Sequence, residues 1–159
     1  MCSSDLGPGG NDRKFYYQYL ENDKCSSGSG ENIQKISARF GLEIEEADKL
    51  AKEAAGIIPI TARCSVFSKS EMTHYANQGK STNDLFKCFF ASVAGNISAL
   101  LSRNRVDGPV YFIGGCTEVD SLKDAFEDII KEKINYPDNT LTFEAEGAIL
   151  IASDNVKNN

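Results

Sequence analysis

The chain has 159 residues, enough for one domain with a sizeable core, and its composition of 41% hydrophobic and 25% charged residues is ordinary for a globular protein. The net charge of −6 argues against a nucleic-acid-binding protein, because such proteins usually carry a basic face. From the apolar runs and the charges we expect neither a membrane-spanning segment nor a signal peptide. The sequence therefore predicts a cytoplasmic protein with no nucleic-acid and no membrane partner.

The first residues, MCSSDL, match what the end of a common sequencing adapter encodes when it is read as protein. We therefore expect residues 1–8 to be non-native or disordered, with a natural flexible N-terminus as the alternative. Residues 9–155 are predicted to form one α/β domain that is part of something larger, and residues 156–159 to form a tail.

In chain order, the aromatic-rich segment FYYQYL (15–20) predicts a strand. A helix is expected at 69–78, because Ser68 and Glu71 have the spacing of a capping box, and Phe67 and Met72 that of a hydrophobic staple. Apolar residues at helical spacing predict the remaining helices, near 31–40, 45–55, 83–103 and 120–132.

The segment GPVYFIGG (108–115) predicts a strand at 109–113 that ends at Gly114 and Gly115. INY, before Pro137, predicts a second brief strand, whereas FEAEGAILIAS fits either a strand or a helix. Alternating helices and strands indicate an α/β layer architecture, in which ligands bind at the carboxyl ends of strands. The glycine pair is a candidate for such a site, and a tight structural turn is the alternative.

Cysteine chemistry provides the second candidate site. The five cysteines form no CxxC pair, and His74 is the one histidine, so a metal site built from a single chain is poorly supported. Cys25 and Cys64 each precede a predicted helix start, and a helix N-terminus favours the metal-binding thiolate. Two such thiolates from each of two identical chains would supply the four that a cubane iron–sulfur cluster needs. The alternative is a small buried hydrophobic residue, which is our interpretation of Cys88 and Cys116.

Taken together, these segments resemble the BadF/BadG/BcrA/BcrD ATPase family, the activators of 2-hydroxyacyl-CoA dehydratases. NDKCSSGSGENI is similar to the family's NDKCAAGTGRF signature, and RCSVFSKSEMTHYANQG is similar to its RCTVFAESEV segment. GPVYFIGGCTEVDSLKDAFEDII resembles its strand–Gly-Gly–helix unit, and FEAEGAILIA its closing GALGAALLA helix. The resemblance covers residues 22–153 in the family's order.

This resemblance implies the C-terminal part of an actin-like (RNase H-type, ASKHA) ATPase fold, truncated at the N-terminus. It implies a homodimer with one [4Fe-4S] cluster between the subunits, to which Cys25 and Cys64 of each chain contribute. It also implies that ATP or ADP binds with Mg²⁺, and that the nucleotide-binding residues are Gly28, Gly30, Gly114, Gly115 and, in a GGND loop similar to the family's GGQD, Asp12. The family's first phosphate loop, of DxGST type, is absent, so no catalytic residue is assigned and this chain alone is not expected to turn over ATP.

The function implied is ATP-driven electron transfer from flavodoxin or ferredoxin to a partner metalloenzyme. That partner is a 2-hydroxyacyl-CoA dehydratase or, because CSSGSGEN and ITARCSVFSKSEMTH resemble a methanogenesis marker subgroup of the family, the machinery that activates methyl-coenzyme M reductase. Two other functions stay open. One is a sugar-type kinase of the same superfamily, such as N-acetylglucosamine kinase, and the other is a non-catalytic, nucleotide-binding assembly subunit.

Overall fold

The computed structural model describes residues 29–60, 64–102, 108–131 and 133–157, so the strand predicted at 15–20 lies outside the described residues. In chain order the elements are α1 (Ser29–Arg39), α2 (Ile44–Lys52), α3 (Ser65–Asn77), α4 (Thr82–Leu101), β1 (Val110–Tyr111), a 3-10 helix (Gly115–Glu118), α5 (Asp120–Ile130), β2 (Ile134–Asn135) and α6 (Phe143–Lys157). The helices predicted near 31–40, 45–55, 83–103 and 120–132 are confirmed as α1, α2, α4 and α5.

Helix α3 begins earlier than the sequence predicted. Its N-cap residue is Cys64, and Ser68 is a fully buried residue of the first turn, where its hydroxyl donates to the Cys64 carbonyl at 3.0 Å. The predicted hydrophobic staple is also wrong, because Phe67 is 66% exposed while Met72 is fully buried. Ser68 and Met72 are one helical turn apart, and both are buried on the same face of the helix. Ser68 therefore lies inside the helix and not at its cap, and the helix begins at Ser65.

The segment for which strand and helix were both open is helical. Helix α6 runs from Phe143 to Lys157, so the tail expected at residues 156–159 begins inside this helix. At its start, the Thr142 hydroxyl donates to the Glu146 carboxylate at 2.6 Å. This local contact holds the first turn of α6.

Helix α4 is the centre of the core and packs against α2, α3 and α5. Its side chains Leu85, Phe86, Phe89 and Phe90 are all fully buried. The ring of Phe86 meets that of Phe40 edge-on, at a centroid distance of 5.4 Å. The long apolar repeat read from the sequence is therefore the core-facing stripe of a helix.

Helix α4 also corrects one sequence-based expectation. It has 20 residues, and its most apolar 18-residue window has a mean hydropathy of 1.3, so it is long and apolar enough to cross a membrane by length and composition. The expectation that no run reaches this length was therefore wrong. In the described residues α4 is a core helix, because its aromatic side chains are buried. The core helix of a globular protein can have the same apolar composition as a membrane span.

The two short strands and α5 form a β–α–β unit. β1 and β2 pair in parallel, with Val110 opposite Ile134, and the Phe112 N–H donates to the Asn135 carbonyl just beyond the paired residues, at 3.0 Å. On one side of the pair, Phe126 of α5 lies 5.2 Å from Phe112 between ring centroids. The α/β architecture is confirmed, although the strand predicted at 109–113 is shorter than expected.

Polar contacts join α2 to the start of α5. The Ser121 N–H donates to the Asp48 carboxylate at 2.8 Å, and Lys52 lies 3.1 Å from Asp48 and 2.7 Å from Asp120. Hydrogen bonds from Lys123 and Lys52 lower the pKa of Asp120 to about 2. Because Asp120 opens α5, its carboxylate also lies at the positive end of the helix dipole.

Candidate functional site

The glycine pair forms a turn at the carboxyl end of β1, which we call the glycine turn and define as Gly114 together with the 3-10 helix Gly115–Glu118. Gly114 has φ 90° and ψ 177°, a conformation that only glycine adopts readily. A Cβ atom built on Gly115 would meet no atom within 4 Å. The backbone of Gly115 therefore faces open space, which leaves room for a ligand to approach it.

Two threonines that the sequence analysis did not single out hold this turn in place. Thr117 is 5% exposed, and its hydroxyl donates to the Gly114 carbonyl at 2.7 Å and lies 2.9 Å from Oγ1 of Thr140. The Gly114 N–H donates to the Thr140 carbonyl at 2.9 Å. Of these contacts, only the hydrogen bond from Thr117 to the Gly114 carbonyl could have been predicted from the sequence. It joins residues three positions apart, which is a common spacing for a threonine hydroxyl that caps the backbone.

The first turn of α1 lies against the glycine turn. A Cβ atom built on Gly30 would stand 3.7 Å from Sγ of Cys116, the residue that follows the glycine pair. The structure therefore places Gly30 beside Cys116 of the glycine turn, whereas the nucleotide-binding role that the resemblance implied for Gly30, Gly114 and Gly115 stays a prediction. Gly28, Cys25 and Asp12 lie outside the described residues.

Cys64 is the N-cap residue of α3, with its side chain partly buried. The helix that follows has 13 residues and no acidic residue in its first turn. The prediction that Cys64 precedes a helix N-terminus is thus confirmed, with the helix starting at the very next residue. At this position the N–H groups and the helix dipole favour a thiolate.

The other two described cysteines have different surroundings. The Cys88 sulfur accepts a hydrogen bond from the Ile58 N–H at 3.1 Å, and its side chain packs against the core. Burial raises the pKa of the Cys116 thiol above its ordinary value. His74 lies on the surface, with Nε2 2.9 Å from the side-chain amide of Gln78.

The last residues of helices α1 and α3 line the same cavity. Their last residues, Arg39 and Asn77, line one cavity of about 350 Å³ together with Phe40, Thr73 and Ala76. Among the residues that the structure describes, no three Asp, Glu, His or Cys side chains converge as a metal site would require. The donor set implied for an iron–sulfur cluster, two thiolates from each of two chains, thus draws on Cys64 and on a residue outside the described ranges.

The described elements form part of an actin-like ATPase fold. A sequence profile of the BadF/BadG/BcrA/BcrD ATPase family matches residues 10–152, and the chain belongs to this family.

Two solved structures share the fold. The activator of the 2-hydroxyisocaproyl-CoA dehydratase from Clostridium difficile with bound ADPNP has 26% sequence identity and a TM-score of 0.77, over 86% of this chain and 51% of the activator. The Acidaminococcus fermentans (R)-2-hydroxyglutaryl-CoA dehydratase component A has 22% identity and a TM-score of 0.67, over 75% of this chain and 46% of that protein.

Among curated relatives, the activator of lactoyl-CoA dehydratase from Anaerotignum propionicum is 28% identical over 135 residues. These residues are 85% of this chain but 52% of the activator. The chain therefore spans about half the length of the relatives it matches.

Proposed function

We propose that this chain is part of an ATP-dependent activator protein that donates electrons through a [4Fe-4S] cluster shared by two subunits. The observation that carries the proposal is the position of Cys64 as the N-cap residue of α3, in a family whose members activate dehydratases. The family resemblance adds Cys25 as the second thiolate of each chain, and a twofold dimer then offers the four that the cluster needs.

In this proposal Cys25 and Cys64 hold the cluster, which when bound supplies one low-potential electron at a time. The N–H groups at the start of α3 stabilise the thiolate of Cys64, and the lack of an acidic residue in that turn avoids repulsion of an anionic centre. We assign no ligand role to Cys88 or Cys116, since both side chains are partly buried and pack against the core.

The glycine turn and the first turn of α1 form the nucleotide side of the site. Gly114 and Gly115 present backbone to open space. Gly30 lies beside Cys116 of the same turn, at the N-terminus of α1, where N–H groups suit phosphate oxygens. Gly28 and Asp12 complete this proposed set for ATP or ADP with Mg²⁺. The ADPNP bound to the Clostridium difficile activator supports a nucleotide as a ligand of this fold.

Helix α1 links the two halves of the mechanism. Its first turn touches the glycine turn, and Cys25 lies five positions before Gly30 in sequence. A shift of this turn when nucleotide binds would move the chain that carries Cys25 and so change the cluster's surroundings. ATP binding would thereby bias electron donation in one direction.

The partners follow from the same proposal. The electron acceptor is a metalloenzyme, either a 2-hydroxyacyl-CoA dehydratase or the machinery that activates methyl-coenzyme M reductase, and the donor is flavodoxin or ferredoxin. A protein of this kind works in the cytoplasm as a homodimer.

The test is anaerobic reconstitution with iron and sulfide, followed by iron analysis and measurement of mass in solution. We expect about two iron atoms per chain, four shared by two chains, and a dimeric mass. Cys64→Ser should lose most of the iron and the dimer, whereas Cys88→Ser, a matched change in the core, should keep both. A Cys64→Ser protein with full iron content would overturn the proposal.

The same preparation separates the alternatives. A sugar-type kinase has no use for Cys25 and Cys64 and would remain colourless after reconstitution. A non-catalytic assembly subunit would bind nucleotide, but electron transfer to its partner would not depend on ATP.

A further inference from the structure

A polar groove runs along one face of α3 and ends against the last residue of α1. Its cavity has a volume of about 550 Å³, and its lining consists of Arg39 of α1 together with Lys69, Ser70, Thr73, His74 and Asn77 of α3. The five α3 residues follow the spacing of a single helical face. Among the described residues that line this cavity, which we call the α1–α3 groove, Arg39 and Lys69 are cationic and none is a carboxylate, although the net charge of the chain is −6.

The two cations of the groove are available to a ligand. Within the described ranges neither Arg39 nor Lys69 forms an ion pair, and the Ser70 hydroxyl has no hydrogen-bond partner there. By contrast, Lys35, one turn before Arg39 on α1, lies 2.7 Å from a carboxylate oxygen of Glu31. The groove therefore offers a guanidinium, an ammonium and a hydroxyl as donors that the described residues do not use.

A structural role in helix capping does not account for these cations. A basic side chain near a helix C-terminus usually binds the last carbonyl groups. In α1 the carbonyls of Ser37 and Ala38 already accept backbone N–H groups of the residues that follow the helix, at 2.9 and 3.1 Å. Lys69 lies in the second turn of α3, far from the carbonyls at the end of that helix. Neither side chain is therefore needed to cap a helix.

We propose that the α1–α3 groove binds the phosphate group of a small molecule. The planar fork of Arg39 can bind two phosphate oxygens, and Lys69 and Ser70 can donate to a third, whereas a carboxylate has only two oxygens to offer. The volume of the cavity lies within the range of small-molecule sites, about 300–1,000 Å³. A phosphate held by both cations would link the end of α1 to the second turn of α3.

A neighbouring cavity can take the organic part of a phosphate ester. This is the cavity of about 350 Å³ that shares Arg39, Thr73 and Asn77 with the groove and adds Phe40 and Ala76 to its lining. Apolar surface beside a few placed polar groups is the usual composition of a small-molecule site. The pair of cavities therefore fits an ester better than it fits free phosphate.

The groove is separate from the two sites of the proposed function. Arg39 lies nine residues beyond Gly30 on α1, which is about 14 Å along the helix axis. On α3 the groove begins at Lys69, five residues beyond Cys64, and runs away from it. The proposal therefore rests neither on the cluster nor on ATP binding.

Titration of the full chain, followed by the amide resonances in NMR spectra, tests the proposal. The probes are inorganic phosphate and phenyl phosphate, with sodium chloride holding the ionic strength constant. We expect saturable shifts at Arg39 and at residues 69–77, and a loss of affinity of at least about fivefold in Arg39→Gln and in Lys69→Gln. Lys35→Gln is the matched control and should keep the affinity, because the Lys35 ammonium is already paired with Glu31. All three positions are exposed, so the variants should retain the fold, which circular dichroism checks.

The two probes distinguish the source of the phosphate. Binding of phenyl phosphate at least about threefold tighter than that of inorganic phosphate assigns the groove to an ester, and equal binding assigns it to free phosphate. Three results would overturn the proposal. The first is the absence of saturable shifts in the groove. The second is an equal loss of affinity in Lys35→Gln and Arg39→Gln, because binding then follows overall charge and not the groove. The third is a response to an acidic peptide such as hexaglutamate without a response to either phosphate, which would make the groove a contact surface for a protein.

Discussion

Replacing Gly56 with alanine tests the contact between the chain that leaves α2 and the start of α4. Oδ1 of Asp84 accepts hydrogen bonds from the N–H of Gly56 at 2.7 Å and of Ala55 at 3.1 Å. A Cβ atom built on Gly56 would lie 2.3 Å from Oδ2 and 2.8 Å from Cγ of the same carboxylate. An alanine at this position must therefore displace Asp84.

The magnitude follows from the two hydrogen bonds that are lost. A hydrogen bond to a charged group contributes about 1.5–3 kcal/mol. Ala55 is exposed, so water replaces its bond, whereas Gly56 is partly buried and loses more. We expect Gly56→Ala to lower the free energy of unfolding by about 2 kcal/mol.

Urea unfolding followed by far-ultraviolet circular dichroism measures this change, with the midpoint shifting at constant m value. Gly95→Ala in α4 is the matched control. A Cβ atom there meets nothing within 4 Å, so helix propensity should raise stability by about 0.5–1 kcal/mol.

The decisive comparison is made in an Asp84→Ala background. There the obstacle is gone, and adding Gly56→Ala should cost close to nothing. If Gly56→Ala destabilises the protein equally with and without Asp84, the proposed contact is not the cause.

Three further predictions concern the core and its polar contacts. Phe86→Ala should lower the free energy of unfolding by about 3–5 kcal/mol in the same urea assay, because the ring is fully buried. Ser37→Ala should change it by less than about 1 kcal/mol, since its hydroxyl is buried and has no hydrogen-bond partner in the part of the chain that the structure describes; a larger loss would reveal a partner. Asp48→Asn should destabilise the protein at pH 7. Burial raises the pKa of Asp48, but hydrogen bonds from Ser121 and Lys52 outweigh it and hold the pKa below the ordinary 3.8. The stability that ionised Asp48 contributes is therefore present above pH 3.8 and lost as the pH falls through the lower folded value, so wild type and variant should converge in acid unfolding curves. Parallel curves would contradict this assignment.

The sequence by itself determined the elements whose signals are local. The apolar residues of α4 repeat at helical spacing, and the same spacing identified α1, α2 and α5, since one buried face per helix leaves a periodic trace. The motifs around Cys25, Cys64 and the glycine pair were enough to identify the family, because their residue types and order survive at low identity.

The tertiary structure alone decided the features for which two local sequence signals compete, or for which the sequence carries no local signal. The capping-box spacing at Ser68 was overruled because the core of the described residues buries Ser68 and Met72 on one face of α3. Helix α6 gave no clear period, because its middle is apolar on all sides. The contacts of Gly30 with Cys116 and of Thr117 with Thr140 join residues far apart in the chain. Such contacts depend on how the helices and strands pack, and the spacing of residues along the chain carries no trace of them.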